Sequence, residues 1–100
     1  MSYRNHPVSD YRSVLTTDTQ LVDVRRPDEV ADGTFDGAVN IPLEQLVDRI
    51  GELDPTRPTV VLCRSGNRSA QAAGFLVASG FRDVVNLEGG MLAYDKEHSS

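Results

Sequence analysis

The residues whose types and order could do chemistry lie together in Cys63-Arg64-Ser65-Gly66-Asn67-Arg68-Ser69. This segment holds the single cysteine of the chain. It follows the apolar run Thr59-Val60-Val61-Leu62 and leads into a stretch with helical character. A free cysteine has a pKa near 8.5, so only about a few per cent is thiolate at neutral pH. A helix N-terminus and neighbouring arginines bring that value down to roughly 3.5–7.5. Arg64 and Arg68 supply two positive charges, and the loop N–H groups with the helix N-terminus supply partial ones. Gly66 lets the loop close tightly and bring its backbone to a ligand. Cys63 therefore reads as a thiolate nucleophile facing an anionic substrate. The plainer alternative is an inert core cysteine at a strand end. That alternative gives no reason for the polar run directly after Cys63.

Several thiolate chemistries compete. A cysteine phosphatase, or an arsenate reductase of the same fold, needs a thiolate, an anion-cradling loop and an arginine. The phosphatase pattern is Cys, five residues, then Arg. Here that position is Ser69, and Arg68 comes one place early. The loop is short for a tetrahedral phosphate. A leaving-group acid is also required, and nothing singles out Asp36 or another carboxyl for that task. A thiol protease or transferase needs a histidine base, and no motif ties His6 or His98 to Cys63. A low-pKa thiolate that works without a base points to sulfur transfer, in which no proton has to leave in the attacking step.

These residues need elements to position them. Residues 4–8 form a candidate short edge strand, and Ser9 is a candidate N-cap of a short helix through about Leu15. Gln20 to Arg25 reads as a strand, on which Asp23 and Arg25 share a face and form a structural ion pair. Arg26-Pro27-Asp28-Glu29 starts a short helix ended by Asp32-Gly33. Ala38 to Ile41 is a short strand closed by Pro42. Leu43, Leu46, Val47 and Ile50 repeat at helical spacing, with Gly51 at the end. Thr59 to Leu62 suits a strand buried on both faces. Asn67 to Ser79 is the longest helix, stopped by Gly80. Asp83 to Leu87 is a further strand, Glu88-Gly89-Gly90 a turn, and Met91 to Lys96 a final helix. Strands alternating with helices predict an α/β domain with a central parallel sheet of four to five short strands and helices on both faces. Ligands bind such sheets at the carboxyl ends of strands, where Cys63 falls.

Composition narrows the function classes. The chain has 100 residues, 39% apolar and 25% charged, with a net charge of −5. One domain spanning 1–100 is expected, with about residues 1–8 and 96–100 as mobile ends. The acidic balance speaks against a nucleic-acid partner. No apolar run approaches the roughly 18 residues of a membrane span, and the N-terminus lacks the apolar core of a secretory signal. A lone cysteine allows neither an internal disulfide nor a CxxC pair and suits the cytoplasm. One cysteine and two distant histidines make no metal site, and no cofactor is expected. Ser69 either caps the helix or touches the bound sulfur, Asn67 suits a turn, and Gly89-Gly90 either nears the loop or forms a plain turn.

The chain resembles the single-domain rhodaneses, sulfurtransferases that use thiosulfate or persulfides. The likeness runs from about Leu21 to Tyr94. It rests on Val22-Asp23-Val24-Arg25 followed by Pro27 and Glu29, on Gly37 to Leu43, on Cys63 to Ser69 and on Glu88-Gly89-Gly90-Met91, in the family's order. The chain departs from the family's usual residues at Val30, Thr34, Asp36 and Tyr94. The resemblance maps the six-residue active loop onto Cys63 to Arg68. It implies that Cys63 takes the outer sulfur of thiosulfate as a persulfide and that sulfite leaves. It also implies that Arg64, Ser65, Gly66, Asn67, Arg68 and Ser69 form the binding loop and that Asp23 and Arg25 brace it. The acceptor is a thiophile: cyanide, a small thiol, or a protein thiol such as thioredoxin. A monomer or weak dimer is expected. A carrier that receives sulfur without turning over thiosulfate stays open as the alternative.

Overall fold

A computed structural model describes residues 2–98. Five parallel strands form one sheet in the order β1-β5-β4-β2-β3. They are β1 (Arg4–Pro7), β2 (Gln20–Asp23), β3 (Val39–Asn40), β4 (Thr59–Leu62) and β5 (Val84–Glu88). The expected α/β class and parallel sheet are both present. β4 is central and its four residues are all buried, as its unbroken apolar run requires of a strand covered on both faces. Crossover direction reverses between β2 and β4, which puts the topological switch point at the carboxyl ends of these two strands.

Each face of the sheet carries its own core. One packs Val22, Val24, Ile41, Val61 and Cys63 against Ala72, Ala73 and Leu76. Those three alanine and leucine positions belong to α3 (Asn67–Ala78). Leu46, from the one-turn helix α2 (Leu46–Arg49), joins the same cluster. The other face packs Leu21, Val60, Leu62, Val85 and Leu87 against Val8, Tyr11 and Phe35. Tyr94 of α4 (Gly90–His98) covers this face, edge-on to the stacked rings of Tyr11 and Phe35.

The expected edge strand is present at Arg4–Pro7, paired with β5. Other local expectations shift. Ser9 is no cap: the following helix is a 3-10 helix over Val8–Val14, with Pro7 at its N-cap position and no side-chain cap. Val8 and Tyr11 are the residues it buries, and the segment is kinked between them at Asp10 (φ −116°). The 43–50 helix is broken into a 3-10 turn, α2 and a second 3-10 turn (Ile50–Glu52) that contains Gly51. The short helix α1 (Pro27–Val30) begins with proline as expected. Gly90 starts α4 instead of closing a turn, and Glu97 and His98 continue that helix. Ser99 and Ser100 lie outside the described residues. Among the described residues, no helix is long and apolar enough to cross a membrane.

Candidate active site

β4 delivers Cys63 to the carboxyl edge of the sheet, and the loop that follows wraps around its sulfur. Gly66 makes this possible at φ +98°, a left-handed conformation that favours glycine. A Cβ there would stand 3.1 Å from the Gly89 nitrogen. Gly66 N–H donates to Cys63 Sγ at 3.0 Å, and Ser69 O–H donates to it at 3.3 Å. Gly66 is the N-cap of α3, and no side chain caps that helix. The first helical N–H groups therefore have no partner inside the helix. Ser69 does not cap the helix; its hydroxyl lies between Cys63 Sγ and Asn86 Oδ1.

Cys63 is fully buried. Burial alone pushes its thiol up. The Ser69 hydroxyl and the backbone N–H groups of Ser69, Gly66 and Ser65 outweigh it, and the net displacement is downward. The loop thus favours a charged sulfur where an inert core cysteine would be pushed the other way.

The two arginines differ. Arg64 is exposed and lines a cavity of about 200 Å³ with Arg25, Glu29, Asp32, Met91, Leu92 and Asp95. Arg68, expected as an open positive charge, instead makes a bidentate pair with Glu29 of α1, at 2.7 and 2.8 Å. Arg68 still lies close enough to Cys63 to feel its charge. Its hydrogen bonds hold the Glu29 carboxyl down to about 2, against the opposing effect of burial. Ser65 is exposed on the loop, and Asn67, expected in a turn, is the exposed first residue of α3.

Asp23 and Arg25 form a buried pair at 2.7 Å. Arg25 also donates to Gly33 O at 2.7 Å, and Thr34 O–H donates to Asp23 Oδ2 at 2.8 Å. Their side chains bond to Glu29 O, Gly33 O and Thr34, while Asn40 donates to both of their carbonyls, so the pair ties β3 to the 29–34 segment next to Glu29, the partner of Arg68. The pair sits at the end of β2, beside the switch point, where its charges are satisfied locally.

Glu29 and Asn86 join the site without having been assigned to it from sequence, and Gly90 joins it by one of the two readings its sequence allows. Glu29 reads in the sequence as a helix-start acid and as part of the resemblance, with no partner indicated; its partner is 39 residues away. Asn86 of β5 lies beside Ser69. Gly90 brings the start of α4 onto the loop, where Met91 N–H donates to Cys63 O at 2.9 Å and Leu92 N–H to Arg64 O at 2.8 Å. The Gly89-Gly90 dipeptide was the one signal for this approach. The histidines stand elsewhere: His6 lies with Asp10 and Ser13, and His98 stacks on Tyr94.

The Glu29–Arg68 pair makes a stability prediction. Glu29 is depressed from 4.5 to about 2, so its contribution is complete above about pH 4.5 and is lost as pH falls toward 2. Glu29→Gln should cost about 1–2 kcal/mol at pH 7, allowing for partial exposure. It should also flatten the fall in stability between those pH values. Denaturant melts across that range check both.

The rhodanese-like domain family matches residues 9–97. A sulfurtransferase of Allochromatium vinosum is 40% identical over 79 residues, 79% of this chain and 74% of that one. The thiosulfate sulfurtransferase GlpE of Shewanella oneidensis is also 40% identical, over 80% of this chain and 79% of that one. A crystal structure of a rhodanese-related protein from Thermoplasma volcanium superposes with a TM-score of 0.82 at 32% identity, over 95% of this chain and 93% of the other. With a parallel sheet that ends in a sulfur-cradling loop, and with relatives matched over most of their length, the chain belongs to the rhodanese-like domain family.

Proposed function

We propose that this protein is a sulfurtransferase that moves the outer sulfur of thiosulfate, or of another sulfane-sulfur donor, to a thiophile through a persulfide on Cys63. The observation that carries this reading is the set of donors converging on one sulfur, with no histidine or carboxylate among its hydrogen-bond partners in the described residues. In the first half-reaction the Cys63 thiolate bonds to the outer sulfur. The S–S bond of thiosulfate breaks, and sulfite leaves with its electron pair. No proton is transferred, which suits a site without histidine. The terminal persulfide sulfur carries the negative charge, and the N–H groups of the loop and the start of α3 stabilise it as they would an oxyanion. In the second half a thiophile attacks the terminal sulfur and the Cys63 thiolate is released.

Arg64, exposed at the mouth of the neighbouring cavity, suits the recruitment of an anionic donor. The acceptors proposed are cyanide in the assay and a small or protein thiol, such as that of thioredoxin, in a reducing cytoplasm. The protein would work as a monomer or weak dimer. Phosphatase chemistry fits less well, because Glu29 already occupies both guanidinium nitrogens that would face a phosphate.

One observation favours a second reading. Cys63 has no exposed surface, so a donor reaches it only when the loop moves. A partner protein that opens the loop would make this chain a sulfur carrier. Steady-state thiocyanate formation from thiosulfate and cyanide tests the choice. Parallel lines in double-reciprocal plots, the mark of a covalent ping-pong intermediate, are the expected result. Negligible turnover with thiosulfate, alongside rapid loading from a persulfidated protein, would replace the enzyme reading with the carrier.

A further inference from the structure

Behind the sulfur, Ser69 begins a buried polar chain whose further members, Asn86 and Asn5, have no task in sulfur transfer itself. Ser69 Oγ stands within hydrogen-bond distance of two acceptors, Cys63 Sγ and Asn86 Oδ1. The Asn86 amide nitrogen donates to Asn5 Oδ1 at 3.0 Å and, at longer range, to Gly66 O at 3.4 Å. Cys63, Ser69 and Asn86 are buried, whereas Asn5 on β1 is exposed. The chain thus runs from the sulfur to the protein surface.

One hydroxyl proton cannot serve two acceptors. For a neutral thiol the arrangement closes: S–H donates to Ser69 Oγ, and Ser69 O–H donates to Asn86 Oδ1. A thiolate has no proton to give, so Ser69 O–H must turn to the sulfur. Asn86 Oδ1 then faces a hydroxyl oxygen with no hydrogen between them, and a buried acceptor without a donor is costly. Turning the amide over removes the conflict, because its nitrogen and oxygen are nearly the same size. Asn86 Nδ2 then donates to Ser69 Oγ, and Oδ1 points to Asn5. Asn5 is exposed and can turn its own amide to donate. Gly66 O keeps the Ala70 N–H at 3.1 Å.

We infer that Asn86 is a positioning residue of the sulfur site: a two-position amide that holds the Ser69 proton on the sulfur when the sulfur is charged and on itself when the sulfur is neutral, with Asn5 as its outer partner. The inference rests on the reading of Cys63 as the working thiolate. It assigns β1, an edge strand far from Cys63 in sequence, a part in setting the charge of the nucleophile.

Asn5→Asp tests it at an exposed position that puts little of the fold at risk. The carboxylate only accepts, so it holds Asn86 Nδ2 outward and Oδ1 on Ser69, against the orientation the thiolate needs. Cys63 is the single cysteine, so ultraviolet thiolate absorbance against pH, with Cys63→Ser as blank, reads this thiol alone. Its pKa is expected to rise by about one unit, roughly a tenfold smaller thiolate fraction at a pH below it. With the chain cut by Ser69→Ala or Asn86→Leu, the same substitution should move it by only about a few tenths, as a screened surface charge does. The rise in the intact chain should also persist at high salt. The charged groups on the surrounding elements are unchanged across these variants: Asp23 and Arg25 on and beside β2, Glu29 on α1, Arg64 in the loop, Arg68 on α3, Glu88 on β5 and His6 on β1. An equal shift in intact and cut chains, a shift abolished by salt, or no shift overturns the inference. The titration uses no sulfur donor. A protein that shifts as expected yet takes up no sulfur would contradict the sulfurtransferase reading and leave this one standing.

Discussion

In a Cys63→Ser variant, thiocyanate formation from thiosulfate and cyanide is expected to fall to background, a loss on the order of 10⁴-fold or more. A serine hydroxyl stays protonated at any pH where the protein is folded, and the site has no base to take its proton. Even a deprotonated oxygen would not give a persulfide. The fold should survive, because Cys63 buries one small side chain in a core otherwise built from Val22, Val61, Ala72 and Leu76. The melting temperature should therefore shift by only a few degrees, as about 1 kcal/mol does in a domain of this size. Circular dichroism beside the assay separates the two effects. Retention of even a tenth of the activity by a folded variant would remove Cys63 from the mechanism.

The second large effect is expected at Gly90, a residue that touches no substrate. A Cβ on Gly90 would fall 2.5 Å from Arg64 O and 2.6 Å from Arg64 C, and closer still to Cys63 O. All three are backbone atoms and cannot swing aside as a side chain can. Gly90→Ala must therefore push α4 off the loop or distort the loop itself. Either outcome breaks the hydrogen bonds from Met91 and Leu92 to the Cys63 and Arg64 carbonyls. A cost of about 2–4 kcal/mol in stability is expected. Moving the loop by about 1 Å also disturbs the donors around the sulfur, and displacement of that size can cost about 10²-fold in rate. Gly74→Ala is the control. Gly74 is exposed within α3 and has open space around it, so alanine there should stabilise by about 0.5–1 kcal/mol with activity unchanged. Near-native stability and rate in Gly90→Ala would show that α4 does not set the loop.

The contrast between these two residues shows what a sequence can and cannot carry. Cys63 was legible because everything that marks it is contiguous. The buried run of β4, the polar loop and the helix start follow one another within a few residues. β4 and α3 were legible for related reasons, one from unbroken apolarity and the other from its length and its Gly80 stop. The Asp23–Arg25 pair was legible because residues two apart on an extended chain share a face, although β2 ends at Asp23 and Arg25 lies just beyond it. The parts played by Glu29 and Asn86 were not, and Gly90 was legible only as one of two readings, since each meets the loop only through the order of strands in the sheet. β5 lies beside β4 and carries Asn86 and the start of α4 to Cys63. Nothing in the local spacing of those residues encodes that neighbour. The same limit hid the fate of Arg68, whose charge looked open until α1 was seen to bring Glu29 against it. The break in the 43–50 helix was hidden too, because apolar spacing alone does not separate one continuous helix from short α and 3-10 turns in series.

The central claim is that Cys63 carries sulfur, and intact mass tests it most directly. The reduced protein is treated with excess thiosulfate, desalted and weighed beside Cys63→Ser. The account predicts a gain of one sulfur atom in the wild type alone, reversed by cyanide with release of thiocyanate. A folded protein with a reactive thiol and no added sulfur, whether offered thiosulfate or a persulfidated protein donor, would contradict it.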